Sequence, residues 1–170
     1  IGSHTPTETQ HQKSTLSGYT MRMDGGGFII SNKIKIKMRV SLATIQPVAI
    51  DLWEDIKPHC TKAKIAGSIR RQWARVGDIE IVCTPTDRSS RNKIGMILMQ
   101  NGSIQKGQMT GRYVQAIYKG YKLDLFMPQP HDYYRIRAIR TGSAEYAKKI
   151  ARAWQEKGYV GTPNGLQEVS

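Results

Sequence analysis

Three acidic residues suggest the chemistry of this chain most directly. Asp78 and Glu80 are separated by one residue within the run 77–82, so on a strand both carboxylates point to the same face. Asp124 lies in a second, largely apolar run, 122–126, where an unpartnered carboxylate is costly to bury. Carboxylates that share a site repel one another unless a cation neutralises them, and oxygen ligands suit Mg²⁺ or Mn²⁺. The acids therefore predict a divalent-metal site, although an exposed strand face with two incidental acids gives the same spacing.

A Gly-Ser dipeptide precedes these acids. Gly67 and Ser68 follow a short apolar run that predicts a strand, and Arg71 comes three residues after Ser68. Glycine lets a backbone approach a phosphate closely, and a helix N-terminus and an arginine both attract one. Because a Gly-Ser turn is also common for conformational reasons alone, this motif indicates a phosphate site only in combination with the acids.

The combination resembles the polymerase beta-like nucleotidyltransferases, and more closely the family X DNA polymerases. The resemblance rests on the runs 65–71 and 76–80, which read Ile-Ala-Gly-Ser-Ile-Arg-Arg and Val-Gly-Asp-Ile-Glu, followed by Asp124. It covers roughly residues 40–165. Three downstream motifs follow in the order of that family's palm-to-thumb segment: Tyr133-Tyr134, Thr141-Gly142-Ser143 and Glu156-Lys157-Gly158-Tyr159.

The resemblance implies an α+β fold, a cofactor and a reaction. The fold is a palm with a mixed sheet and flanking helices, followed by a small, mostly helical thumb. Two Mg²⁺ ions, or Mn²⁺, would be held by the catalytic residues Asp78, Glu80 and Asp124. The nucleotide would be held by Gly67, Ser68, Arg71 and Gly142. The reaction would be template-directed transfer of dNMP from a dNTP to a primer 3′-hydroxyl, in gap filling or DNA repair.

The sequence departs from the family pattern at three places. Ile139 and Arg140 stand where the family usually has an aromatic pair that helps to exclude ribonucleotides. Short side chains replace residues that contact the incoming base and the minor groove: Ala144, Ala147 and Ala151. The second metal ligand is Glu80 where the family commonly has aspartate, a change that keeps the charge. We therefore expect relaxed sugar and base selection with the metal chemistry retained.

The charge balance favours a nucleic-acid partner. The 170 residues include 26 Lys and Arg against 13 Asp and Glu, a formal net charge of +13, which attracts polyanions in a salt-dependent way. Solubility alone is the competing explanation. We expect a monomer that binds primer-template or gapped DNA and a dNTP. The candidate DNA-binding residues are Lys122, Lys148, Lys149 and Arg152, although a solvated helix face explains the last three equally well.

Cysteine usage and hydropathy narrow the class of protein further. Cys60 and Cys83 lack the spacing of a zinc site and favour a reducing compartment. The longest uncharged apolar run, 94–99, is far too short to cross a bilayer. We therefore expect no membrane association and a cytoplasmic or nucleoid-associated protein.

Periodicity and turn residues predict the element order. Residues 1–17 are interpreted as a disordered tail or a remnant of an expression tag, 18–128 as the palm with N-terminal strands, and 129–170 as the thumb. A hairpin is predicted around 24–27, a strand at 33–40, and a helix to Ile56 that has Pro47 near its first turn. The further predictions are strands at 63–66 and 79–82, helices at 90–100, 132–140 and 143–157, and a hairpin from 115–118 and 121–127.

Two other functional classes remain open at this point. A template-independent, RNA-directed or small-molecule nucleotidyltransferase would keep the metal chemistry and change the acceptor, and the departures at 139–140 and the three alanines favour it. A non-catalytic nucleic-acid binder on a decayed polymerase scaffold is disfavoured, because such a protein has no reason to retain like charges at costly positions.

Overall fold

The structure is a computed structural model that describes residues 14–16, 19–24, 27–30 and 39–169. Two compact units make up the chain, Ile1–Met38 and Arg39–Ser170. The functional residues predicted above all belong to the second unit.

The first unit contains a three-stranded antiparallel sheet. Its strands are β1 (Ser14–Leu16), β2 (Tyr19–Asp24) and β3 (Gly27–Ile30), paired in that order. The predicted hairpin is confirmed, with Met23 opposite Phe28. Ser14–Leu16, at the end of the predicted tail 1–17, pairs with β2. Of the strand predicted at 33–40, residues 33–38 lie outside the described residues.

Seven further strands belong to the second unit. They are β4 (Val40–Ser41), β5 (Cys60–Ala66), β6 (Arg75–Val76), β7 (Ile79–Pro85), β8 (Gly102–Gly107), β9 (Tyr113–Tyr118) and β10 (Tyr121–Phe126). Five form one mixed sheet in the order β5-β7-β10-β9-β8. Its central pair, β7 and β10, is parallel, and its other pairs are antiparallel. The short strands β4 and β6 pair separately.

Five helices and a terminal hairpin complete this unit. They are α1 (Leu42–Ile56), α2 (Gly67–Arg70), α3 (Arg88–Gln100), α4 (Tyr133–Thr141) and α5 (Ala144–Glu156), followed by β11 (Tyr159–Thr162) and β12 (Gly165–Glu168). No helix among residues 39–169 is both long and apolar enough to span a membrane.

Helices cover the five-stranded sheet on both faces. Ile79 and Ile81 of β7 join the main core with Leu52 of α1 and Leu98 of α3. Val82, one residue on, joins a second cluster with Tyr133 of α4. Since successive strand side chains alternate between faces, every second residue of β7 and β10 points toward α4. The chain is thus α+β, as predicted.

Several elements differ from the sequence expectation. α1 begins at Leu42, five residues before Pro47, because Leu42 N–H donates to Ala74 O at 3.0 Å and Ile45 is buried. Tertiary contacts thus extend the helix past a proline that normally disfavours its interior. Strand β8 and the β11–β12 hairpin were not predicted, so the mostly helical C-terminal segment ends in strands. Both contain glycine and polar residues with little alternation, which leaves no strong strand signal.

Candidate active site

The parallel pairing of β7 and β10 brings the predicted carboxylates together. Asp124 lies directly opposite Glu80 in the register, and Asp78 immediately precedes β7. All three are in phase with the residues that point toward α4; for Asp78 and Glu80 the Asp-x-Glu spacing predicted this shared face. The Asp124 and Asp78 side chains are only 9% and 13% exposed. The acids therefore form a half-enclosed carboxylate cluster on the α4 face of the sheet.

Lys122 supplies positive charge to this cluster. Its Nζ lies 3.4 Å from Asp124 Oδ2 and 3.8 Å from Asp78 Oδ2, so one ammonium group bridges two of the three acids. Among residues 39–169, no three His, Cys, Asp or Glu side chains are arranged closely enough to enclose a metal ion. The donor set nevertheless fits Mg²⁺ chemically, because it consists of carboxylate oxygens.

Glu80 is the member of the cluster whose pKa is clearly shifted. Its pKa is raised to about 7, first by burial and then by the charges of Asp78 and Asp124, with Arg140 and Arg71 opposing the shift. The carboxyl group lies against the backbone of Gly67, where an added Cβ would overlap Glu80 Oε2. Gly67 also has a φ of +66°, which favours glycine. The Gly-Ser motif therefore contributes directly to the placement of a predicted metal ligand.

We expect Glu80→Gln to stabilise the metal-free protein at pH 8 by about 1–2 kcal/mol. A carboxyl group whose pKa is raised in the folded state costs stability as the pH rises from its ordinary value near 4.5 through 7, and glutamine removes that charge. Mg²⁺ should raise the thermal midpoint of the wild type and have less effect on the variant. Thermal unfolding with and without Mg²⁺ measures both effects.

Glu54→Gln, at an exposed position on α1, is the control for this experiment and should leave both midpoints unchanged. A metal-free Glu80→Gln protein that is less stable than the wild type, together with a wild type indifferent to Mg²⁺, would contradict the expectation.

Tyr113 is a functional candidate that the sequence did not identify. Its hydroxyl donates a 2.5 Å hydrogen bond to Asp124 Oδ1, and its ring lies 5.2 Å from that of Phe126. Burial, and then the Asp124 carboxylate, raise the pKa of the Tyr113 hydroxyl, so it remains a donor at neutral pH. The residue lies just before the predicted hairpin strand 115–118. The hairpin register, extended by two residues, places it opposite Phe126.

Arg71 joins the Gly-Ser motif to the α4–α5 junction. Its Nη1 donates to Gly142 O at 2.9 Å and to Thr141 O at 3.2 Å, so two predicted nucleotide-binding residues are in contact. Its Nε is buried and has no hydrogen-bond partner among residues 39–169. Ser68 is half-buried in α2, next to Gly67. Gly67, Ser68, Arg71 and Gly142 thus connect the carboxylate cluster to the start of α5.

Arg140 occupies the position where the resembled family has an aromatic side chain. Its guanidinium carbon lies 4.1 Å from the centre of the Phe126 ring, and its charge lowers the pKa of Glu80. Ile139 is half-buried. A cation near the carboxylate cluster thus stands where the resembled family usually has an aromatic side chain.

The remaining predicted DNA-binding residues lie on α5. Lys148, Lys149 and Arg152 are all exposed. On a helix of 3.6 residues per turn they lie opposite the face with the half-buried Ile150 and Trp154. This arrangement fits both a DNA-contacting surface and a solvated helix face.

No model of a known protein family matches the chain, and no curated protein matches it significantly. The residue pattern and the site geometry therefore carry the functional assignment.

Proposed function

We propose that the protein is a metal-dependent, template-directed DNA polymerase of the family X type. It transfers dNMP from a dNTP to a primer 3′-hydroxyl, with pyrophosphate as the leaving group, during gap filling or repair. The observation that carries this proposal is the cluster of Asp78, Glu80 and Asp124 on one face of two adjacent parallel strands. In this proposal the five-stranded sheet with its helices forms a nucleotidyltransferase palm, and the segment from residue 129 onward forms a thumb.

The carboxylates and their neighbours divide the work of the reaction. Asp78, Glu80 and Asp124 would hold Mg²⁺, which when bound neutralises phosphate charge and makes a hydroxyl a better nucleophile. Asp124, which accepts a hydrogen bond from Tyr113, is proposed to be the acid nearest the primer hydroxyl, as the family resemblance implies. Lys122, which bridges Asp78 and Asp124, keeps the cluster from expanding by self-repulsion while no metal is bound.

The nucleotide is proposed to bind between Gly67 and Gly142. The buried Arg71 Nε has no hydrogen-bond partner within residues 39–169, so it offers a charged donor to a phosphate oxygen, and charge-assisted hydrogen bonds of this kind are strong. Ser68 adds a hydroxyl donor beside it. The Gly67 backbone lies against the Glu80 carboxyl group, so the proposed phosphate site adjoins a proposed metal ligand.

Sugar and base selection are proposed to be relaxed. Ile139 and Arg140 do not form the aromatic wall that rejects a 2′-hydroxyl, and the Arg140 guanidinium is itself a hydrogen-bond donor for one. Ala144 and Ala151 are exposed on α5 and offer only methyl groups to a base pair. The short side chains are the observation that favours the second candidate, a template-independent or RNA-directed nucleotidyltransferase.

DNA binding is proposed to depend on the excess of basic residues. A net charge of +13 predicts affinity for gapped or primer-template DNA that falls steeply with salt. The proposed contacts are Lys122, Lys148, Lys149 and Arg152.

The protein is proposed to be cytoplasmic or nucleoid-associated. Both cysteines are free thiols, which agrees with a cytoplasmic or nucleoid location.

Single-nucleotide extension of a labelled primer on gapped DNA tests the proposal. With Mg²⁺ present, we expect addition of the complementary dNTP, comparable use of the matching rNTP, and no product in EDTA. Each dNTP and rNTP is supplied separately, with all four template bases. Addition that ignores the template base would favour the second candidate. Salt-sensitive binding with no product under any condition would refute both enzymatic assignments.

A further inference from the structure

A groove bounded by α2, α4 and α5 gathers cationic and aromatic side chains. Its volume is about 500 Å³. We call it the arginine–tyrosine groove. Its lining includes Arg70, Arg71, Arg137, Tyr134 and Tyr146.

The groove uses a different face of α4 from the one that covers the sheet. Tyr134, Arg137 and Thr141 line it and recur at spacings of three and four residues, which places them on one side of the helix. Tyr133 and Ile136 belong instead to the cluster packed on the sheet, in phase with the carboxylates. The groove is therefore a separate surface, joined to the proposed nucleotide site only through Arg71 and Gly142.

The exposed tyrosines distinguish this surface from ordinary packing. Tyr134 is 63% exposed and Tyr146 is 49% exposed, although both are large rings within one concave surface. Lys62 adds another positive charge, with its Nζ 4.3 Å from the centre of the Tyr134 ring. Among residues 39–169, no Asp or Glu lines the groove. Accessible aromatic rings beside uncompensated cations are the combination on which single-stranded nucleic acids bind, because bases stack while phosphates contact the charges.

We propose that the arginine–tyrosine groove binds single-stranded DNA. Bases stack on Tyr134 and Tyr146, and Arg70 and Arg137 contact the phosphates. The proposal rests on the proposed function only in taking DNA as the ligand, and it requires no catalysis. In the polymerase, the arginine–tyrosine groove holds an unpaired stretch of DNA beside the proposed site of synthesis.

Fluorescence anisotropy of a labelled oligothymidylate of about 12 nucleotides tests this binding. Tyr134→Leu removes a stacking surface and should weaken binding about tenfold with little change in the salt slope. Arg137→Gln should weaken binding and make the slope of log K against log salt shallower by about one. Tyr134→Phe, which keeps the ring, should bind like the wild type.

Two matched variants serve as controls. Tyr159→Leu removes a partly exposed tyrosine on β11, and Arg88→Gln removes an exposed arginine on α3; neither residue lines the groove. Tyr159→Leu should leave binding unchanged. Arg88→Gln should leave it within twofold. Circular dichroism and thermal unfolding check that each variant is folded, and Tyr146→Leu replaces Tyr134→Leu if the latter does not fold.

Measurements in metal-free buffer, on the wild type and on Asp124→Asn, separate this proposal from the polymerase assignment. If the wild type makes no product in the extension assay with Mg²⁺ but still shows groove-dependent binding, the groove is supported and only the enzyme is refuted. Three results would overturn the groove: Tyr134→Leu and Arg137→Gln binding as tightly as the wild type, an equal loss for duplex DNA in Tyr134→Leu, or displacement of the oligonucleotide by dTTP alone. The last would identify a mononucleotide pocket.

Discussion

Asp124→Asn should reduce nucleotide transfer on gapped DNA by on the order of a thousandfold while the protein remains folded. The substitution preserves the shape of the side chain, and Oδ1 can still accept the hydrogen bond from the Tyr113 hydroxyl. It removes one of the three negative charges that would bind Mg²⁺. The substitution relieves the repulsion between Asp124 and Glu80 and weakens the contact between Asp124 and Lys122. Because these two contributions oppose each other, the stability of the metal-free protein should change little. Single-turnover extension and thermal unfolding measure the two effects.

Asp55→Asn is the matched control for this experiment. Asp55 is exposed on α1, outside the carboxylate cluster, so the same chemical change should leave the rate unaltered. If Asp124→Asn kept more than about a tenth of wild-type activity, the carboxylate cluster would not be the reaction centre and the polymerase assignment would fail.

Gly67→Ala should lower activity about a hundredfold because the new Cβ would displace the Glu80 carboxyl group. The backbone of Gly67 has a φ of +66°, and an alanine there costs about 1 kcal/mol or more of stability besides the overlap. Loss of activity is expected to exceed what the stability loss alone explains, since the protein should remain folded at 25 °C. Extension kinetics and unfolding curves on the same preparation distinguish the two.

Gly120→Ala separates backbone strain from the displacement of Glu80. Gly120 has a φ of +83° and nothing within 4 Å of an added Cβ, so it carries a similar conformational penalty without any overlap. It should lose stability and retain activity. Equal activity losses in the two variants would show that strain, not the position of Glu80, causes the effect.

The predictions for Asp124→Asn and Gly67→Ala depend on different kinds of information. Asp124 was selected from the sequence, because an acid in an apolar strand indicates a functional site whichever strand lies beside it. The overlap between Gly67 and Glu80 depends on the pairing of Ala66 with Glu80 across β5 and β7. The sequence predicted a close approach of Gly67 to a phosphate, whereas the structure shows that the Gly67 backbone lies against the carboxyl group of Glu80, a predicted metal ligand.

The same division applies to the elements. The helix predicted at 90–100 is observed at Arg88–Gln100. There Asp87 accepts from Ser90 N–H as an N-cap, and Ile94 and Leu98 are buried one turn apart. The start of α1 was not predicted, since the contact between Leu42 and Ala74 lies outside any local pattern. The β11–β12 hairpin was missed because its strands have little alternation and depend on pairing with each other.

The sequence by itself determined which faces the functional side chains occupy, because the two-residue period of a strand is a local property of the backbone. It thereby placed Asp78 and Glu80 together and Ile79 and Ile81 in the core. Only the tertiary structure decided which strand lies beside β7, and hence that Asp124 faces Glu80. It also decided that Tyr113 reaches Asp124, that Arg71 reaches Gly142, and that Tyr134 and Tyr146 share a groove with three arginines. Contacts between residues distant in the chain depend on register and packing, which no local pattern specifies.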